Sequence, residues 1–241
     1  MTLDNILASL FPNGHAIEKN GSLLIGSATL ADGTAVEVIG AADHAPLGID
    51  EAIRLSRRVL EIAARGDRMP ILVLLDSDSQ RMSKRDELLG LNEFLAHLAK
   101  ALIFADTRGH RTIGLLYGHT AAGAFIATAL STRALVTLPG AEPAVMDLPS
   151  MSKVTKLQIE VLEEKAKSTP VFAPGVANVE RVGAIAATWD DNVSLGAQLQ
   201  ALLATAEETA DTRDRLGKER NGRPKAADVA SRVYALALGR S

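Results

Sequence analysis

Residues Arg111–Ala129, RTIGLLYGHTAAGAFIATA, decide how the rest of this chain is read. Ile113 to Tyr117 is a short apolar run of the kind that forms a strand buried on both faces. At Gly118 the pattern changes. From Thr120 the residues are small and helix-tolerant, with Ala121, Ala122, Ala124, Phe125, Ala127, Thr128 and Ala129, and no charge follows until Arg133. The stretch reads as a buried strand, a tight turn and a helix that begins inside the core. Backbone N–H groups at such a helix start lack intrahelical partners and lie at the positive end of the helix dipole. Small residues at Ala121, Ala122 and Gly123 let another group approach the main chain. Two readings stand side by side: N–H donors for an oxyanion, or a close-packed strand and helix with no ligand.

Working outward, Ile71 to Leu75 is a second continuous apolar run, entered through Pro70. It is followed by the polar segment DSDSQRMSKRDELLG, Asp76 to Gly90, and segments at the ends of buried strands are where sites are usually built. Leu88, Leu91, Leu95, Leu98 and Leu102 then form a helical stripe that ends before Gly109. Beyond the opening stretch, Ala134 to Leu138 reads as a strand, Pro139-Gly140 as a turn and Ala144 to Leu148 as another short strand. Upstream, Ile49, Ile53, Ser56, Val59, Leu60 and Ala63 recur at helical spacing, with Gly66 where a C-cap belongs. Leu23 to Leu30 and Thr34 to Ile39 flank Asp32-Gly33, a hairpin signal, and Asn5 to Phe11 is a helical turn ended by Pro12 and Gly14. Alternating helices and buried strands predict an α/β fold with a mostly parallel sheet.

The last third reads as helical: Met151 to Lys167, ended by Thr169-Pro170, then Leu195 to Ala210 and Val229 to Leu238. Between the first two lies PVFAPGVANVERVGAIAATWDDN, with apolar positions at Val179, Val182 and Ile185. Asp211 to Lys225 carries six basic and three acidic side chains and reads as a solvated connector; the sharper alternative is contact with a phosphate or an acidic partner, Arg213 to Lys225 being the segment concerned.

At 241 residues and 47% hydrophobic, with no low-complexity linker, the chain is expected to form one domain, 1–241, with a helical part from about 150. A net charge of -3 speaks against nucleic acid as the main partner. Zero cysteines exclude disulfides and thiolate metal sites. There is no basic n-region at Met1 to Leu10 and no apolar run of membrane-spanning length, so a cytoplasmic protein with no membrane partner is expected. The chain lacks G-x-x-x-x-G-K-[ST], G-x-G-x-x-G after a strand, H-E-x-x-H and G-x-S-x-G. His15, His44, His97, His110 and His119 are dispersed and give no ligand spacing, so no metal is expected. His119 adjoins the glycine turn, where it would donate a proton or bind substrate, or be an uninvolved loop histidine. Ser77, Asp78, Ser79, Gln80 and Arg81 are the other candidates, because their segment and the Gly118 turn lie at the carboxyl ends of neighbouring strands; helix capping accounts equally for Asp78 or Ser79.

The order of hairpin, helix, ILVLLD, polar loop, leucine-rich helix, RTIGLLYGHTAAGAFIATALSTRALVTLPGAEPAVMDL and helical tail resembles the crotonase-like (ClpP/crotonase) fold of biotin-dependent carboxyltransferases, built of repeated ββα units. DSDSQRMSKRDELLGLNEF together with TPVFAPGVANVERVGAIAATW is more specifically similar to the gamma subunit of biotin-independent malonate decarboxylase. The resemblance covers nearly the whole chain. It departs from the carboxyltransferase pattern in two places: Ala122-Gly123-Ala124 stands for Gly-Gly-Ala, and Asp76-Ser77-Asp78 stands for Pro-Gly-Phe. The chain also has no Met-Lys-Met biotinylation sequence.

The resemblance implies a subunit of a hetero-oligomer whose beta subunit has the same fold and completes the site. It implies a malonyl thioester on an acyl carrier protein, carried by a CoA-derived phosphopantetheine-type arm, with no biotin and no cofactor held covalently by this chain. Decarboxylation would give an acetyl thioester and CO2. On this expectation the beta subunit holds the thioester oxyanion, while His119, Ala122, Gly123, Ser79 and Gln80 orient the carboxylate or deliver the proton, with Gly118, Ser77 and Arg81 binding substrate. The competing expectations are a self-sufficient acyl-CoA hydratase or isomerase, with Asp78, Asp86 or Glu142 as base, and a structural subunit with no catalytic residue.

Overall fold

The computed structural model describes residues 1–170, 173–205 and 210–239. The chain runs α1 (Leu3–Leu10), β1 (Glu18–Asn20), β2 (Leu23–Thr29), β3 (Ala35–Leu47), α2 (Ile49–Arg65), β4 (Ile71–Gln80), α3 (Lys84–Leu89), α4 (Leu91–Thr107), β5 (Thr112–Leu116), β6 (His119–Ala121), α5 (Ala122–Ala127), β7 (Ala134–Thr137) and β8 (Glu142–Ala144). It continues with α6 (Leu148–Thr155), α7 (Ile159–Ser168), α8 (Val176–Arg181), β9 (Ala187–Thr188), α9 (Leu195–Ala204), α10 (Arg213–Glu219) and α11 (Ala226–Ala237).

The main sheet has the strand order β1-β2-β3-β4-β5-β7-β9. Its first two pairings are antiparallel and the remaining four parallel, so the hairpin edge and the parallel centre both follow from the apolar patterning. Strand β4 shows how the sheet is buried on both faces. Ile71, Val73 and Leu75 point into the layer formed with α2, α4 and α5, whereas Leu72 and Leu74 point into the layer formed with α1 and α9. A second, two-stranded parallel sheet, β6 with β8, stands beyond the carboxyl ends of β4 and β5.

Helix α2 is tied to both ends of the site-bearing strands. Glu51 accepts a hydrogen bond from the Gly48 backbone N–H at 3.0 Å, and Asp50 and Glu51 place negative charge in the first turn. The helix ends on Gly66 at φ 74°, a left-handed position that costs glycine least. Along its length Arg58 and Arg65 pair with Glu37 of β3, whose side chain is only 2% exposed.

Several elements differ from their sequence reading, each for a local reason. The turn expected between strand β5 and helix α5 contains the three-residue strand β6, too short to leave an alternating pattern. Leu88 belongs to α3 and is exposed, so the helical stripe begins at Leu91. Residues 145–147 are not strand; Leu148 opens α6 behind Asp147, whose carboxylate caps Ser150 N–H. The single helix expected over Met151 to Lys167 is broken, because Lys156 adopts a left-handed conformation between α6 and α7. The helix expected over Leu195 to Ala210 ends at Ala204, with 206–209 outside the described residues, as are Val171 and Phe172 of the PVFAPG segment. Asp211 to Lys225 is no loose connector: Arg213 donates to Leu130 O at 2.8 Å, and Arg220 to Glu180 O and Ile185 O at 2.9 and 2.7 Å.

Candidate functional site

Strand β4 continues past its apolar half through Asp76, Ser77, Asp78, Ser79 and Gln80, and this polar half lies against β6 and the start of α5. The pairing of β3 with β4 is interrupted between Ala41 and Ala45. There Asp43 and His44 both take left-handed backbone conformations, φ 65° and 51°, which are uncommon without glycine. The bulge carries His44 onto His119. Their ring centroids lie 4.6 Å apart at an interplanar angle of 55°.

Asp76 organises both histidines. One carboxylate oxygen accepts from His119 N–H at 3.1 Å and the other from His44 N–H at 3.3 Å. The His119 ring is fixed as well, since its Nδ1 is 3.0 Å from Ser77 O. A carbonyl only accepts, so Nδ1 carries the proton and Nε2 is the atom presented outward. Ser77 Oγ and Thr120 Oγ1, both buried, are 2.9 Å apart and lock β4 to β6. Gly118 gives the close approach this requires, because a Cβ there would lie 2.2 Å from Asp76 Oδ1.

The helix start is not an open set of donors. Gly123 N–H donates to Gln80 Oε1 at 2.8 Å, and Gln80 Nε2 reaches Met82 Sδ at 3.8 Å. Ala122 sits at φ 50°, so a residue with a Cβ occupies a backbone position glycine would fill at lower cost. Helix α5 itself is only six residues long. Ser79 Oγ makes one long bond, 3.3 Å, to the adjacent Gln80 O.

Arg81 is turned away from this cluster. Its guanidinium bonds Glu51 at 2.7 Å and lies 3.8 Å from buried Asp86, and the Glu51 bond foremost raises its pKa. Asp86 also accepts from Ile49 N–H at 3.4 Å and from Arg85 at 3.0 Å. These contacts clamp the end of β4 to the start of α2, which fits a scaffold role for Arg81.

Asp147 closes the edge of the site from α6. Hydrogen bonds from Ser150 hold its carboxyl below the usual range, helped further by the charge of Lys153. Tyr117 has a buried hydroxyl with no hydrogen-bond partner among the described residues. Burial, then the charges of Asp76 and Asp43, push its pKa up.

The structure thus brings together Ser77, Gln80, Gly118, His119, Ala122 and Gly123 from the sequence reading, and it adds His44 and Asp76, while Ser79 sits between them along β4 and bonds only its neighbour's carbonyl among the described residues. Asp78 joins His44 and His119, the three offering ligand atoms within 4.8 Å of one another. Asp78 is thereby placed at the cluster, while Asp86 and Glu142, the other carboxylates considered as bases, are not: Asp86 is in the α2 clamp and Glu142 pairs with His119 only through the β6–β8 ladder. A groove of about 780 Å³ on the outer face of α2 and α4, lined by residues such as Ile53, Leu60, Phe94 and His97, shares no residue with the cluster.

A mostly parallel seven-stranded sheet, a small second sheet at its carboxyl end and helices on both faces define a crotonase-type fold. The transcarboxylase 12S core bound to methylmalonyl-coenzyme A has this fold, with a TM-score of 0.70 at 17% identity over 86% of this chain and 42% of that one. The chain belongs to the malonate decarboxylase gamma subunit family, whose model matches residues 42–237. A Pseudomonas malonate decarboxylase hetero-tetramer in complex with coenzyme A is 25% identical over 98% of both chains, with a TM-score of 0.73. The Pseudomonas MdcD-MdcE hetero-dimer gives 24% identity and a TM-score of 0.76 over 97% of this chain and 98% of that one. The malonyl-S-ACP:biotin-protein carboxyltransferase MADD of Malonomonas rubra is 30% identical over 138 residues, 54% of this chain, and the chain spans about half the length (47%) of that relative. No described helix is long and apolar enough to cross a membrane.

Proposed function

We propose that this chain is the gamma subunit of a malonate decarboxylase complex. With a beta subunit of the same fold it decarboxylates a malonyl thioester, carried on an acyl carrier protein by a phosphopantetheine-type arm, and so acts as part of a carboxy-lyase. The observation that carries the reading is the family match over residues 42–237, which takes in every residue of the cluster from His44 to Gly123. The substrate and the hetero-dimeric assembly come from relatives: malonyl-S-ACP is in the name of MADD, and the MdcD-MdcE pair is a hetero-dimer.

The chemistry divides between the subunits. The bond between the carboxylate carbon and the α-carbon breaks, its electron pair moves into the thioester enolate, and CO2 leaves. N–H donors on the thioester oxygen, supplied by the beta subunit, lower that barrier. His119 Nε2 takes up a proton from solvent, and the imidazolium so formed gives that proton to the enolate carbon and returns to the neutral Nδ1–H form held by Ser77 O. Gly123 N–H and Ser79 Oγ receive the substrate carboxylate, the charged oxygen displacing the neutral Gln80 amide from Gly123 because a charge-assisted bond is the stronger. Asp76 positions both histidines through their backbone N–H groups.

Single substitutions in the assembled complex test this. His119→Ala is expected to lower kcat by about 10²- to 10⁴-fold. Rates near wild type for both His119→Ala and Ser79→Ala would contradict the assignment.

A further inference from the structure

Beyond proton transfer, His44, Asp78 and His119 form a donor set that the reaction does not need as a set. We propose that they bind one divalent transition-metal ion of borderline character, with Zn2+ the type case, and that the ion withdraws His119 from proton transfer.

Each of the three residues offers one ligand atom, all within 4.8 Å of one another. Donors around tetrahedral zinc stand roughly 3.3 Å apart, so closing the site takes side-chain movements of about an ångström. His44 has that freedom, since its side chain is more than half exposed while its backbone is anchored on Asp76. His119 is already set up as a ligand. Its Nδ1–H is directed at Ser77 O, which leaves the Nε2 lone pair outward, the arrangement in which a backbone carbonyl orients a metal-bound imidazole. Asp78, unlike Asp76, has no hydrogen bond or ion pair among the described residues, so its carboxylate is uncommitted.

Charge and ligand type agree on the ion. Asp76 Oδ1 lies 4.0 Å from His44 Nδ1 and adds a second carboxylate beside the donors, which favours a cation. Two imidazoles and one carboxylate suit zinc, cobalt or nickel in preference to magnesium or calcium. Three protein ligands leave a coordination position open to water or to a carboxylate.

The test uses the full chain co-purified with its beta partner, stripped by a chelator and titrated with Co2+, read by visible ligand-field absorption and by calorimetry. The expected result is one site per gamma chain whose affinity falls at least about tenfold in both His44→Ala and Asp78→Asn of this chain. No uptake by the wild-type complex, or uptake undiminished in both variants, overturns the site. The inhibitory consequence rests on the role proposed for His119 and separates from it: uptake of Zn2+ with no loss of decarboxylation overturns that role, whereas absence of uptake overturns the metal site alone.

Discussion

A methyl group at Gly118 would lie 2.2 Å from Asp76 Oδ1, the oxygen that holds His119 N–H. Gly118→Ala is therefore expected to destabilise the chain by about 1–3 kcal/mol through overpacking and to lower decarboxylation, as denaturant unfolding and assay of the complex would show. Tyr117 gives a second residue-scale prediction. Its pKa is raised in the fold, so above about pH 10 the unfolded chain releases a proton that the folded chain keeps, and stability falls as pH rises from there. Tyr117→Phe should remove that alkaline slope in urea melts compared at about pH 8 and about pH 10.5, and should stabilise the neutral-pH fold by about 1 kcal/mol by removing an unpartnered buried hydroxyl. Much of this site was legible because Ser77 to Gln80 and Gly118 to Gly123 follow apolar runs directly. His44 was not, since its approach to His119 depends on two successive left-handed residues, Asp43 and His44, that leave no periodic signal.

At the scale of elements, the clamp between β4, α3 and α2 sets where the polar end of β4 stops. Asp86 is 1% exposed and faces Arg81, Arg85 and the Ile49 N–H together. Asp86→Ala is expected to cost about 1–3 kcal/mol, because it leaves the buried Ile49 N–H without its acceptor and removes the bonds to Arg81 and Arg85, and Arg81→Ala should act on stability before it acts on kcat. Continuous apolar runs made β4 and β5 readable, and Gly66 made the end of α2 readable. Strand β6 and the break at Lys156 escaped because one is three residues long and the other puts a lysine where glycine or asparagine is usual.

Across the whole molecule, apolar side chains stay exposed in the way an interaction face leaves them. Met82 is 78% exposed, Leu88 is 76% exposed, and α11 buries none of its residues despite Val229, Val233, Tyr234 and Leu236. The His119 cluster likewise lies at the strand ends, with His44 exposed, in keeping with the proposed site shared with a second subunit. The central claim is tested most directly by measuring CO2 release from a malonyl thioester carried on the acyl carrier protein, with this chain alone, its beta partner alone, and the two co-purified. Release by the co-purified pair only, lost again in His119→Ala, is the predicted result. Release by this chain alone would contradict the shared site and return the self-sufficient crotonase-type enzyme, while release by the beta partner alone at the full rate would leave this chain a structural subunit.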